Sequence, residues 1–93
     1  MIKSYRDKDT ELVAGGYVAK RLPRDVQKVA RRKLDQLAVS KTLDGMRIPP
    51  GNRLEALKGD RAGQYSVRIN DQWRICFRWE DGHAHDVEIA DYH

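Results

Sequence analysis

The residues whose types and spacing suit the handling of a phosphate run through the second half of this 93-residue chain. Arg68, Arg74 and Arg78 fall at even-numbered positions, Glu55 and Lys58 precede them, and the sequence closes on Tyr92 and His93. Arg and Lys beside His and Tyr suit phosphodiester cleavage. The cations stabilise the pentavalent phosphorane, and His or Glu moves protons. RNA supplies its own nucleophile, the 2′-hydroxyl, so such a reaction needs no metal. His93 is the last residue, and its own α-carboxylate favours the charged imidazole, a better proton donor. The same residues also suit an ordinary sheet surface, with the arginines paired to Asp86 and Glu88 and a terminal His that frays.

Other residue types carry less. A single Cys excludes a disulfide scaffold and a Cys-Cys-His-His zinc site. Cys76 reads as a small strand residue. His83 and His85 lack a third ligand. Asp7, Asp9 and Glu11 read as helix-terminus charges, and Gly59 and Gly63 flank a turn and not a phosphate-cradling helix start.

The elements that must position these groups follow from periodicity. Ile2–Tyr5 reads as a short strand. A short helix follows the acidic turn and ends at Gly15-Gly16. Pro23 suits the first position of a second helix, whose buried stripe is Val26, Val29, Ala30, Lys33, Leu34, Leu37 and Ala38. Arg24, Lys28, Arg31 and Arg32 lie mainly outside the stripe, as a solvated face or a contact for phosphate or an acidic partner. Residues 40–52 read as loop, broken by Asp44-Gly45 and stiffened by Pro49-Pro50.

The last thirty residues alternate as strands. Asn70-Asp71-Gln72 as a loop sets Ile69 against Trp73, Val67 against Ile75 and Tyr65 against Phe77. It also sets Arg68 opposite Arg74, which is costly unless an anion lies near. A second hairpin through Asp81-Gly82 would mix the faces, so an odd-length loop is expected there. Asp86 or Glu88 then neutralises Arg78 or Arg74, and Tyr92 shares the face of Arg74. If residues 53–58 fold back on the first strand, Glu55 falls near Arg68 and Lys58 near Tyr65.

Charge is unevenly spread. Residues 20–79 hold fifteen basic and six acidic side chains, a net of +9, whereas residues 80–93 hold five acids and no Lys or Arg. That middle favours a polyanion, nucleic acid first, or simply makes a solvated basic face or one masked by an acidic protein segment. The length fits a single domain over residues 1–93. No apolar run reaches the roughly 18 residues of a membrane span, and the charged start is unlike a signal peptide. A cytoplasmic protein is the expectation.

The opening Met1-Ile-Lys-Ser-Tyr, the block from Pro49-Pro-Gly-Asn-Arg-Leu-Glu to Ser66, the run Ile69-Asn-Asp-Gln-Trp-Arg-Ile and the closing Asp91-Tyr92-His93 resemble HigB-type toxins. These belong to the RelE/ParE superfamily of bacterial type II toxin–antitoxin modules. The resemblance runs over nearly the whole chain, and Leu-Lys-Gly-Asp-Arg, Trp-Arg-Ile and Asp-Tyr-His are its specific blocks. It implies an α+β fold, with two N-terminal helices packed on a twisted, mostly antiparallel β-sheet. It implies cleavage of mRNA in the ribosomal A site, without metal or cofactor, by 2′-hydroxyl attack that leaves a 2′,3′-cyclic phosphate. It also implies a HigA-like helix-turn-helix antitoxin through which the complex binds operator DNA, and no membrane.

By the same resemblance Lys58 stabilises the transition state and Arg74 contacts the scissile phosphate. Asp91, Tyr92 and His93 form a C-terminal trio, with His93 moving the proton and Tyr92 orienting the nucleotide. Arg53, Arg61, Arg68 and Arg78 are expected to hold the RNA around them. Glu55 stands where members with a well-defined site carry His, so a slow toxin is expected. The alternatives are a non-cleaving toxin that binds a ribosome-assembly factor, gyrase or another protein, and an adaptor that binds nucleic acid or antitoxin.

Overall fold

The computed structural model describes residues 1–92. Two helices, α1 (Lys8–Ala14) and α2 (Arg24–Val39), precede strands β1 (Glu55–Ala56), β2 (Gln64–Arg68), β3 (Trp73–Glu80) and β4 (His83–Asp91). The four strands form one sheet in sequence order, and every neighbouring pair is antiparallel. Short 3-10 turns at Leu43–Arg47, Pro50–Asn52 and Gly59–Arg61 fill the connections.

The helices end where their residues allow. The Asp7 carboxylate caps α1 by accepting from the Thr10 N–H at 2.7 Å. Gly15 closes that helix, and Gly16 continues at φ +89°. Pro23 caps α2 and does not open it, so the helix starts one residue later than expected. The buried stripe of α2 is Val26, Gln27, Ala30, Lys33, Leu34 and Leu37. Ala38 points outward, against expectation, and Gln27 is buried instead. Its amide accepts from the Ala19 N–H and donates to the Ala19 and Leu22 carbonyls, which pins the link between the helices.

This stripe meets Val13 of α1 and Val67, Ile69, Ile75, Phe77, Val87 and Ile89 of the sheet in one core. Full burial of each large apolar side chain contributes about 1.5–3 kcal/mol. Thr10 is buried as well, and its hydroxyl accepts from the Ile89 N–H at 2.9 Å, tying α1 to β4. The helices thus cover the apolar face of the sheet and leave the other face uncovered by helix.

The first hairpin has the expected register: Tyr65 faces Phe77, Val67 faces Ile75 and Arg68 faces Arg74. The second differs. Asp81-Gly82 does form a two-residue turn, with both residues at positive φ (52° and 79°) and Glu80 facing His83. Face mixing is avoided by a bulge in β4 and not by an odd loop. The register shifts between Cys76 and Arg78, where Asp86 adopts φ 52°, so that Ile75 meets Ile89.

Two other segments are shorter than expected. Ile2 and Tyr5 make isolated parallel bridges to Ala84 and Val87, without a continuous strand. In the 53–58 segment only Glu55 and Ala56 pair with β2, against Ser66 and Tyr65. That register lies two residues from the expected one, so Lys58 runs past Tyr65 and Glu55 stops short of Arg68. Arg53 stands in the left-handed region at φ 45°, directly after the buried Asn52. This kink sets where β1 can begin.

Candidate active site

The face of the sheet away from the helices gathers Ser66 and Arg68 from β2, Arg74, Cys76 and Arg78 from β3, and Glu88 from β4. Glu55 joins it from β1 through its pairing with Ser66. Cross-strand partners share a face, so the register alone accounts for this grouping. Tyr92 follows two residues after Ala90, the partner of Arg74, and so lands on the same side.

Arg74 is the fixed centre. Its side chain is 14% exposed. Nε donates to the Ser66 hydroxyl at 2.7 Å and Nη2 donates to the Arg53 carbonyl at 2.9 Å. The Glu55 carboxylate stands 3.9 Å from Nη2 and is itself 58% exposed. Arg68, directly opposite in the register, turns away to pair with Asp71. The like-charge clash expected between the two arginines is relieved by Asp71 on one side and Glu55 on the other. The Arg68 carbonyl accepts from the amine of Lys33, a nearly buried lysine of α2. Burial holds that amine below the usual lysine range, with Arg32, Arg68 and Arg74 pushing the same way.

Toward the next strand Tyr92 and Cys76 lie close enough to act on each other's titration. Burial pushes both groups above their ordinary values, so at neutral pH the thiol and the phenol are protonated. The charges of Arg61 and Arg74 act on both groups in the opposite sense. Arg61 reaches this corner from the turn Gly59–Arg61 and pairs with Glu88 at 3.0 Å. The Asp91 carboxylate accepts from the Gln72 amide at 3.1 and 3.2 Å, and the Tyr92 N–H donates to the Gln72 carbonyl. Asp91 and Tyr92 are thereby tied to the β2–β3 loop.

The expected residues divide accordingly. Arg74, Glu55, the Arg53 backbone, Arg61 and Tyr92 come together at one corner of the face. Arg78 lies toward the opposite end of β3, held by Asp86 at 2.8 Å and by Glu80. The first of these holds the Asp86 carboxyl below the usual carboxylate range. Glu88 was expected on Arg74 or Arg78 and instead serves Arg61 and, at 3.7 Å, Arg6. Lys58 is exposed just before the Gly59–Arg61 turn. His93 lies outside the described residues.

Ser66 escaped the sequence reading, although its even parity with Arg68 and Arg74 was the available signal. Arg6 gave none, because its approach depends on the bridges that the N-terminal segment makes to β4. Among the described residues no three His, Cys, Asp or Glu side chains come together as a metal site. No helix among them is long and apolar enough to cross a membrane.

The solved YoeB–YefM complex from Staphylococcus aureus superposes on 100% of this chain and 98% of the matched chain, with a TM-score of 0.61 at 18% identity. The fold is that of the RelE-like toxins. A family model described as "RelE-like toxin of type II toxin-antitoxin system HigB" matches residues 3–93. "Endoribonuclease HigB" of Proteus vulgaris is 33% identical over 94 residues, spanning 100% of both chains. "Toxin HigB-1" of Vibrio cholerae serotype O1 is 41% identical over 63 residues, which cover 68% of this chain and 66% of that protein. The chain belongs to the HigB-like family of type II toxin–antitoxin toxins.

Proposed function

We propose that this chain is a ribosome-dependent mRNA endonuclease that needs no metal and acts in the cytoplasm. The observation that carries the reading is Arg74, held by the Ser66 hydroxyl and the Arg53 carbonyl at a corner shared with Arg61 and Tyr92. A cation fixed before the substrate arrives stabilises developing phosphorane charge without reorganising. The relative named an endoribonuclease supports RNA as the substrate.

In this reading the 2′-hydroxyl attacks the adjacent phosphate and the 5′-oxygen leaves, giving a 2′,3′-cyclic phosphate. Arg74 and Lys58 stabilise the charge on the phosphoryl oxygens. Tyr92, a protonated phenol, stacks on or orients the nucleotide. Asp91 holds the chain end to the Gln72 loop, and His93 supplies the proton to the leaving oxygen. Glu55 is placed to take the proton from the 2′-hydroxyl, but its charge beside Arg74 also competes with the phosphate. That competition makes the cleavage slow. Arg53, Arg61, Arg68 and Arg78 contribute the field that holds the RNA.

The partners in this reading are the ribosome with its mRNA, and a HigA-like helix-turn-helix antitoxin that links the complex to operator DNA. Two solved relatives of the fold are toxin–antitoxin complexes, which supports an antitoxin partner. The test is induction in cells without antitoxin, with mapping of mRNA ends. Growth arrest with cuts inside translated frames is expected, and Arg74→Ala should abolish both. Arrest with intact mRNA would replace this reading with a non-cleaving toxin acting on a protein target, which the anion at Glu55 beside Arg74 favours as the second reading.

A further inference from the structure

One carboxylate on the polar face has no part in the chemistry above. Glu88 sits on β4 opposite Cys76 with 20% of its side chain exposed. It pairs with Arg61 at 3.0 Å and with Arg6 at 3.7 Å. A negative charge on a surface for RNA weakens the field that draws the polyanion in. A role that requires the negative charge would offset this.

Arg61 supplies that role. It comes from a short turn and not from a strand, and a long side chain on such a turn would otherwise sample many rotamers. Glu88 holds the guanidinium at 3.0 Å and the Gln64 amide oxygen accepts from it at 3.1 Å. Both contacts run through Nη1. A guanidinium has five donors in a rigid fork, so anchoring one nitrogen leaves donors for a phosphate oxygen. The anchored group lies close enough to Tyr92 and Cys76 for its charge to act on both. Arg6 closes the other side of Glu88, brought there by its own N–H, which donates to the Val87 carbonyl at 2.9 Å.

We propose that Glu88 is a positioning residue, which holds the Arg61 guanidinium through Nη1 beside Tyr92 so that its remaining donors bind a phosphate of single-stranded RNA. The choice of RNA rests on the reading given under Proposed function.

The sign of one measurement separates positioning from charge. Binding of a labelled single-stranded RNA of about 12 nucleotides, within the usual site range, is followed by anisotropy at several salt concentrations. Glu88→Gln removes a negative charge, so on charge alone the affinity rises. Positioning gives the opposite sign: affinity falls about tenfold or more, as expected for one lost charge-assisted bond. The slope of log affinity against log salt then loses about 0.7, one phosphate contact on a single strand. Arg61→Ala should show the same losses, Glu88→Gln should add nothing in the Arg61→Ala background, and Glu88→Asp should recover part of the affinity.

Rising affinity in Glu88→Gln, or losses that add to those of Arg61→Ala, would overturn the proposal. Because binding is read without cleavage, a wild-type chain that binds RNA in this pattern but leaves mRNA intact on translating ribosomes defeats the nuclease reading alone. A wild-type chain that binds no RNA overturns the positioning proposal alone, because cleavage under the proposed function occurs on the ribosome.

Discussion

Arg74 is specified by two groups that carry no charge. Its Nε is satisfied by a buried hydroxyl and its Nη2 by a carbonyl that Arg53 presents only because its backbone turns left-handed. Removing the hydroxyl leaves a charged donor short of a partner in a site that is largely closed to water. Ser66→Ala should lower stability by about 1–3 kcal/mol and cut the cleavage rate by about tenfold or more, since small losses of positioning are costly. Thermal melts and a cleavage time course check this; an unchanged rate would show that Ser66 does not position Arg74.

Glu55 is the second residue to decide. Its carboxylate faces the cation meant for the scissile phosphate. Glu55→His removes that anion and keeps a proton acceptor, so cleavage should rise by about tenfold, the reach of one favourable charge contact. A fall in rate would instead identify the carboxylate itself as the required base. Arg74 and Tyr92 were legible on one face because strand parity and the Asn70-Asp71-Gln72 loop fix the register. The Arg61–Glu88 pair was not, because the reach of Arg61 depends on a 3-10 turn that no periodicity announces.

Elements set those positions, and the bulge in β4 matters most. Without it the two-residue turn at Asp81-Gly82 would place Glu88 opposite Ile75, on the core side. Parity alone showed that an extra residue was needed but did not locate it. Asp86 absorbs it at φ 52°, a conformation Asp tolerates better than most residues. In the same place it accepts from Arg78 Nε at 2.8 Å. Its folded pKa lies below the ordinary carboxylate value, so the pair stabilises the fold above about pH 4 and loses that contribution as acid protonates Asp86. Asp86→Asn keeps the backbone preference and lacks the charge. The difference in Tm between wild type and variant should therefore shrink from about pH 5 to pH 2; a constant difference would assign the effect to backbone alone.

Helix α2 was read from its apolar spacing with one exchange, Gln27 in place of Ala38, because the buried amide pays its desolvation through bonds to Ala19 and Leu22. Leu37 is fully buried in the common core. Leu37→Ala should cost about 2–5 kcal/mol, measured by denaturant unfolding, and a loss under 1 kcal/mol would mean the site collapses around the smaller side chain. β1 was misjudged by two residues for a local reason. The positive φ of Arg53 starts the segment later than its extended sequence implied.

For the whole molecule, the +9 middle and the acidic tail are folded onto each other. Glu80 and Asp86 neutralise Arg78, and Glu88 is shared by Arg61 and Arg6. The tail therefore neutralises Arg78 at one end of the polar face and pairs Arg61 at the other, where Asp91 and Tyr92 are tied to the Gln72 loop. The helices stand on the opposite side of the sheet and do not cover this face. A HigB-like chain built this way brings Arg74, Arg61 and Tyr92 to one corner, the corner to which the proposed function assigns the phosphate.

The most direct measurement is a reconstituted translation reaction containing the purified chain, in which mRNA ends are mapped and their chemistry is determined. The expected result is cleavage within the reading frame, only on translating ribosomes, with 2′,3′-cyclic phosphate ends that Arg74→Ala eliminates. Intact mRNA at a concentration of the chain that halts translation, or cuts that persist undiminished in Arg74→Ala, would contradict the proposed activity.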